Sequence, residues 1–323
     1  MKRRDLAAAA CGLLGAGVDV RAQTPRPAGK IAYLHPRTIA PNHATLSLLR
    51  PAWTRLGYVE GESVLLRSAD GDTSRVPGLV NDVVARGAGV IIVVGAAAVR
   101  AASQATKTVP IVAIDLETDP VNAGYAASFA RPGGNVTGLF LDQPALAGKW
   151  IDLLLEAAPE VERLALLWDR GTGVDQLEVA RSVARNRGFD ARVLEMGAIG
   201  DFDAGLRGLA GKPRTGIVTM TQPGLQVVAG SFAAAAQKHR LPTIGFLRIY
   251  AQAGMLLSYG PVQEAYFPRA VGVADKILRG ARPGDVPIEG PDRFEMVINQ
   301  RTARAIGVKV PQGLLLRADE VIE

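Results

Sequence analysis

Short runs of aliphatic residues alternate with amphipathic stretches along this 323-residue chain. Ile31–Leu34, Val64–Leu66, Val90–Val94 and Ile111–Ile114 are continuous apolar runs of strand length, clearest in Gly89-Val90-Ile91-Ile92-Val93-Val94-Gly95. Such runs predict strands buried on both faces of a parallel sheet. Thr45–Leu56, Ser74–Arg86 and Ala96–Thr106 read as the helices between them, with Ser74 capping one and Gly57 ending another. A short strand, Val136–Leu139, follows a Pro/Gly-rich loop. The order then recurs as helix Leu146–Ala157, strand Leu164–Leu167, helix Val174–Arg187, strand Arg192–Leu194, helix Phe202–Leu209, strand Ile217–Val218, helix Leu225–His239 and strand Thr243–Gly245. Strand Met255–Tyr259 and a long helix, Gln263–Arg279, complete the series, with Ala270, Val273, Ala274 and Ile277 on one helix face. Two consecutive βαβα series predict an α/β protein of two doubly wound, Rossmann-like lobes.

The segment from Asp119 to Gly138 lies between the two series. Pro120, Pro132, Gly133 and Gly134 extend neither a helix nor a central strand cheaply, so the segment predicts a loop of fixed shape at a crossover between lobes.

The chain is long enough for two cores, since single cores stop growing near roughly 250–300 residues. Its start changes the picture. Lys2, Arg3 and Arg4 form a positive n-region, Leu6–Val18 an uncharged apolar stretch, and Val20-Arg21-Ala22 a small-x-small cleavage site, so residues 1–22 read as an export signal. The single cysteine, Cys11, would leave with that signal, which excludes disulfides, a thiolate nucleophile and Cys-based metal sites from the mature chain. Net charge is +6, and residues 1–22 hold four basic and two acidic groups, leaving +4 without a basic block. Nucleic acid is therefore not an expected partner. No later apolar run approaches the roughly 20 residues that span a bilayer, so a soluble mature protein is expected.

In doubly wound sheets a ligand lies outside the carboxyl ends of the strands. That rule selects His35–Arg37, Asp70–Asp72, Gly95–Ala97 and Asp115–Asp119 in the first lobe, and Trp168, Asp169, Thr219–Gln222, Phe246 and Tyr259 in the second. Gly95 would turn the backbone sharply into a helix whose free N–H groups favour a ligand carboxylate in contact with Ala96 and Ala97, or would be a plain tight turn. Asp115 and Asp119 could receive a ligand ammonium or cap their own loop. Trp168, beside Asp169, could stack on a flat ligand or close the core edge. Thr221 and Phe246 complete the candidate set, and Tyr259 is either a ligand contact or part of the hinge. His35, His43 and His239 lack metal-ligand spacing, and no nucleophile elbow, Walker loop or dinucleotide fingerprint occurs. No cofactor, metal or catalytic residue is expected.

Six blocks in order carry a resemblance over nearly the whole chain. They are Trp53-Thr54-Arg55-Leu56-Gly57-Tyr58-Val59-Glu60-Gly61, Gly95 with Asp119-Pro120-Val121, Arg131-Pro132-Gly133-Gly134-Asn135-Val136-Thr137-Gly138, Leu257-Ser258-Tyr259-Gly260-Pro261, Phe294-Glu295-Met296-Val297-Ile298-Asn299, and Arg317-Ala318-Asp319-Glu320-Val321-Ile322. The chain resembles the ABC transporter substrate-binding protein family that includes tryptophan-binding members. It departs from the family pattern at Ala96, where a Thr is usual, and at Val262, where an Asp is usual. The resemblance implies a type I periplasmic-binding fold with a multi-crossover hinge, with residues 30–141 and 260–284 in lobe 1 and 142–259 and 285–323 in lobe 2. It further implies a monomeric periplasmic protein that captures a small-molecule solute, amino acids being the first expectation, and hands it to an ABC permease in the inner membrane. A ligand-sensing module and an exported enzyme on the same fold are the alternatives.

Overall fold

The computed structural model describes residues 27–40, 44–141, 146–169, 174–196, 201–211, 214–220 and 223–323. The expected export signal at 1–22 and Thr221 lie outside the described residues. Among these residues no helix is long and apolar enough to cross a membrane.

The first series forms β1 (Lys30–His35), α1 (Ala44–Arg55), β2 (Val64–Ser68), α2 (Val76–Ala85), β3 (Ala88–Val94), α3 (Ala96–Ala105), β4 (Ile111–Asp115) and β5 (Val136–Phe140). These strands make one parallel sheet in the order β2-β1-β3-β4-β5. Period-two alternation serves both faces, as continuous apolar runs require. Ile31, Tyr33, Val90 and Ile92 join the core that includes α1, while Ala32, Leu34, Ile91 and Val93 pack with α2 and α3. Gly57 ends α1 as expected, with φ +83 and its N–H on Thr54 O at 2.9 Å. Ser74 does not cap α2, whose N-cap is Arg75 without a side-chain hydrogen bond; Asp72 caps the turn before it, its Oδ1 accepting from Ser74 N at 2.9 Å. The 3-10 turn at Thr73–Arg75 runs straight into α2, so the capping falls at the start of that turn, on a carboxylate, a stronger acceptor than a hydroxyl.

The second series forms α4 (Ala147–Ala157), β6 (Val161–Trp168), α5 (Asp175–Asn186), β7 (Ala191–Glu195), α6 (Phe202–Arg207), β8 (Arg214–Thr219), α7 (Pro223–Lys238), β9 (Thr243–Gly245), α8 (Arg248–Gln252) and β10 (Leu257–Pro261). The expected helix Gln263–Arg279 is divided at Pro268 into α9 (Gln263–Tyr266) and α10 (Pro268–Leu278), because proline has no N–H for the helical ladder. α10 returns to the first lobe and packs on α1 and β3. Tyr58, just past α1, donates to Asp275 Oδ1 of α10 at 2.8 Å. The chain then re-enters the second lobe as β11 (Phe294–Asn299), α11 (Gln300–Ile306), α12 (Gln312–Leu315) and β12 (Glu320–Ile322). The second sheet runs β12-β11-β10-β9-β8-β6-β7, with β11 antiparallel to β10. Periodicity did not predict β11 and β12 as strands. Asp319 fixes them together: its N–H donates to Met296 O at 2.9 Å and its Oδ2 accepts from Met296 N at 2.7 Å.

Three passages of chain between the sheets run side by side. Phe140 N donates to Glu289 O at 3.0 Å, and Val262 N to Arg293 O at 3.0 Å. The Tyr266 hydroxyl lies 3.1 Å from Phe140 O and 2.9 Å from Glu289 O, so its one proton is shared between two passages. The Pro/Gly loop feeds this bundle. Asn135 Nδ2 donates to Thr106 O and Val109 O, Thr137 Oγ1 to Val286 O at 2.7 Å, and Gly133 N to Gly284 O at 3.0 Å.

Gly138 has φ +128, and a Cβ there would stand 2.3 Å from Ala113 O on the paired strand. Gly138→Ala is therefore expected to destabilise the protein by more than about 3 kcal/mol, since both the backbone angle and the approach forbid a side chain. Gly133→Ala, where φ is +78 and a Cβ would meet only Ala127 Cβ at an ordinary 3.9 Å, should cost only about 1–2 kcal/mol. Urea unfolding of the two variants checks the contrast, and equal losses would show that close approach is not the constraint.

Candidate functional site

The carboxyl ends of both sheets face one cleft. A 140 Å³ cavity there is lined from the first lobe by Arg37, Gly95, Ile114, Leu116 and Glu117, and from the second by Gln226, Val227, Phe246, Leu247 and Tyr250. Gln263 and Phe267 close it at the hinge side. A neighbouring 330 Å³ cavity shares Arg37, Gly95 and Glu117 and adds Ala96, Ala97 and Asp169. Arg37 bridges the lobes: a Cβ built on Gly224, at the start of α7, would stand 2.7 Å from its Nη2.

Gly95 adopts φ 84 and ψ 144, a conformation open essentially to glycine alone, and its N–H is held by Ile114 O at 2.9 Å. The turn delivers the first residues of α3 to the cavity with no side-chain cap on their N–H groups. Open N–H groups and the positive end of a helix dipole suit a carboxylate. Ala96 and Ala97 keep that approach free of side-chain bulk.

The acidic residues at the end of β4 divide by depth. Asp115 is 0% exposed, and its Oδ1 accepts from Glu117 N at 2.9 Å while Oδ2 has no partner. Burial pushes the Asp115 carboxyl up to about 6. Glu117, two residues on, projects into both cavities. Burial, then the charges of Asp115 and Asp169, hold its carboxyl well above the usual carboxylate range. Asp119 is an Asx-turn cap, accepting from Val121 N at 2.8 Å and from Asn122 Nδ2 at 2.7 Å, on the wall of an adjoining 820 Å³ polar cavity.

The structure thus brings Gly95, Ala96, Ala97, Asp169 and Phe246 to the cleft, with Asp119 beside it. Phe246 is held edge-on to Trp150 at 5.7 Å, and a Cβ on Gly260 would collide with its carbonyl oxygen at 1.9 Å. Asp115 lies beneath the cavity floor. Trp168 is buried in the second core and lines none of the three cavities named above. Tyr259, equally absent from those walls, stacks on Phe294 at 5.7 Å with Lys149 Nζ 5.7 Å above its ring, and its carbonyl accepts from Trp150 Nε1 at 2.8 Å. Sequence reasoning did not single out Glu117, Arg37 or Tyr250. The first two fall inside the strand-end windows, so pairing each window with its charged member would have found them. Tyr250 lies on a five-residue helix that periodicity does not signal.

Residues 44–322 match the family model described as ABC transporter substrate binding protein. A tyrosine-binding protein of Clostridioides difficile (strain R20291) is 22% identical over 267 residues, covering 78% of this chain and 73% of that protein. Among solved structures, a conserved domain protein from Vibrio cholerae aligns with TM-score 0.79 at 23% identity, over 91% of this chain and 99% of that one. An ABC domain in complex with L-Trp from Streptococcus pneumonia aligns with TM-score 0.78 at 22% identity, with the same coverages. These likenesses make the two lobes a type I periplasmic-binding fold.

Asp115 predicts a pH signature. Its carboxyl binds a proton more readily folded than unfolded, so its contribution favours the fold below pH 3.8 and is withdrawn as pH rises through about 6. The whole effect is on the order of 3 kcal/mol. Asp115→Asn, which retains an acceptor for Glu117 N, should flatten the fall in urea stability across that window. An unchanged slope would remove Asp115 as its source.

Proposed function

Because this chain belongs to the ABC transporter substrate-binding protein family, we propose that it captures a small solute between its lobes and delivers it to an ABC permease. The observation that carries this reading is the cleft itself, in which an apolar slot opens beside groups of opposite charge drawn from both lobes. An α-amino acid suits that arrangement. Its carboxylate would meet the open N–H groups of α3 with Arg37 in the same cavity, and its side chain would enter the slot formed by Ile114, Leu116, Phe246 and Phe267. The relatives named for tyrosine and L-Trp support the same ligand class.

In this reading residues 1–22 direct export, and the mature protein works as a periplasmic monomer. Lobe 1 is formed by 30–141 with 260–284, and lobe 2 by 142–259 with 285–323. The side-by-side chain passages act as the hinge, so that a solute touching both lobes favours the closed form. No catalytic step belongs to this function.

Gly95 is a poor position for testing the carboxylate, because any side chain there meets the backbone restriction first. Ala97 is better: it is half-buried, lines the cavity and sits in the first turn of α3, where an acid favours the helix. Ala97→Asp should keep the wild-type melting temperature without solute. By calorimetry it should bind the solute recovered from native purification roughly a hundredfold more weakly, since like charges near 4 Å repel by several kcal/mol at a protein surface. Wild-type affinity in this variant would place the anionic end elsewhere.

A further inference from the structure

We propose that Arg248 is a positioning residue for one wall of the cavity: by gripping Glu295 and Glu320 it holds the segment that carries Phe246, Leu247 and Tyr250, and solute affinity depends on that grip. Arg248 itself lines none of the three cavities. The proposal rests on the solute-capture reading and adds to it a residue that acts through the wall without touching the solute.

The segment cannot hold itself. α8 has five residues, too few for a helix to be stable alone, and its N-cap, Leu247, supplies no side-chain hydrogen bond. β11 straps it at both ends. At the near end Arg248 Nε donates to Glu295 Oε2 at 2.9 Å, Nη2 donates to the same oxygen, and Nη1 donates to Glu320 Oε2 of β12 at 2.7 Å. At the far end Asn299 Nδ2 donates to Ala251 O at 2.9 Å. Phe246 and Leu247 lead into the first tie, and Tyr250 stands between the two.

Stability alone does not call for a charge here. The Glu295 side chain is 6% exposed, and a buried ion pair recovers in attraction little more than its desolvation costs, so an apolar pair of like volume would stabilise the fold as well. An apolar pair would lack direction. A planar guanidinium bonded through three nitrogens to two carboxylates has one orientation, and it fixes the backbone at 248 with it. That grip also refers the wall to the chain passages between the sheets. β11 is the strand by which the chain re-enters the second sheet, with Phe294 paired to Pro261 and Arg293 O accepting from Val262 N just before Glu295. Opposite Glu295, Gly260 lets Phe246 O come so close that a Cβ there would stand 1.9 Å from it. The wall is thus set against the passages as well as its own core, and its place across the cavity from Gly95, Ile114 and Leu116 follows.

Amide hydrogen exchange and calorimetry on the intact protein test this. Arg248→Met alone leaves Glu295 buried without its cation and can unfold the chain, so the informative variant joins Arg248→Met to Glu295→Met, which removes the grip and the buried charge together and should melt close to the wild type. Without solute, the amides of 246–252 should exchange about tenfold faster than in the wild type, while those of β3 keep their rate. L-tyrosine, L-tryptophan and the solute recovered from native purification serve as probes. Whichever of them the wild type binds should bind the double variant about tenfold more weakly, the cost of ordering one or two freed side chains again. Arg248→Lys, which keeps the charge without the fork, should fall between the two. Unchanged exchange at 246–252 would overturn the proposal, as would faster exchange there with wild-type affinity, which makes the grip purely structural. A wild type that binds none of the probes overturns solute capture instead, and exchange alone then decides whether Arg248 holds the wall.

Discussion

The hydrogen bond from Phe140 N to Glu289 O ties the first passage between the lobes to the last, and the Tyr266 hydroxyl lies against the carbonyls of the same two residues from the side. Everything in the cleft inherits its position from this bundle. β4 and β5 are held to it through Glu289 N on Gly138 O and Leu141 N on Asp115 O, so the strand ends that carry Asp115 and Glu117 are fixed a few residues from the pivot. Gly138 allows the approach, because the backbone of Ala113 occupies the place a side chain would take. On the other side Gly260 lets β10 pass against Phe246, which sets one wall of the slot. In the proposed capture of a solute, a rotation about so short a bundle would move Phe246, Tyr250 and Asp169 relative to Gly95 and Glu117.

The buried acids give the cleft a cost that a solute can offset. Asp115 is spent on structure, its Oδ1 holding the turn that aims Glu117 at the cavity. Its second oxygen lies buried without a partner, and the price appears as a proton affinity well above that of an exposed aspartate. Glu117 lines the cleft above it, its proton affinity raised by burial and then by the charges of Asp115 and Asp169. The open N–H groups of α3 and the guanidinium of Arg37 supply the opposite charge in the adjoining space. A cleft so divided discriminates by charge arrangement before side-chain shape, since each unmatched charge left buried costs more than one misplaced methylene.

Much of the architecture was legible from residue pattern because buried parallel strands leave an unmistakable mark. Val90–Val94 and Ile111–Ile114 read as strands, and they are strands. The loop from Arg131 to Gly138 was legible as fixed, though not why: its shape depends on Thr106, Val109, Val286 and Gly284, distant partners such as Val286, which lies 149 residues from Thr137. β11 and β12 escaped periodicity because antiparallel return and a three-residue strand are settled by tertiary pairing through Asp319. At the site, the strand-end rule located the windows and residue chemistry then chose within them. It favoured Asp115 over Glu117 because sequence shows charge but not depth: Asp115 is buried beneath the floor, and Glu117 stands at the cavity wall. Trp168 read either as a stacking platform or as a cover for the core edge, and the structure buries it in the core beside its strand pairing with Glu195 of β7. Nothing local marks Tyr250, whose place at the cavity follows from the packing of α8 under β10 and β11.

Small-angle scattering of the protein as purified with its solute, compared with the same protein stripped by unfolding and refolding, tests the central claim that a solute binds between lobes that move. The account predicts a larger radius of gyration for the stripped protein, and a return to the smaller value when the recovered solute is added back. Identical radii with and without saturating solute would contradict it, because a ligand gripped by both lobes must shift the population toward the closed form.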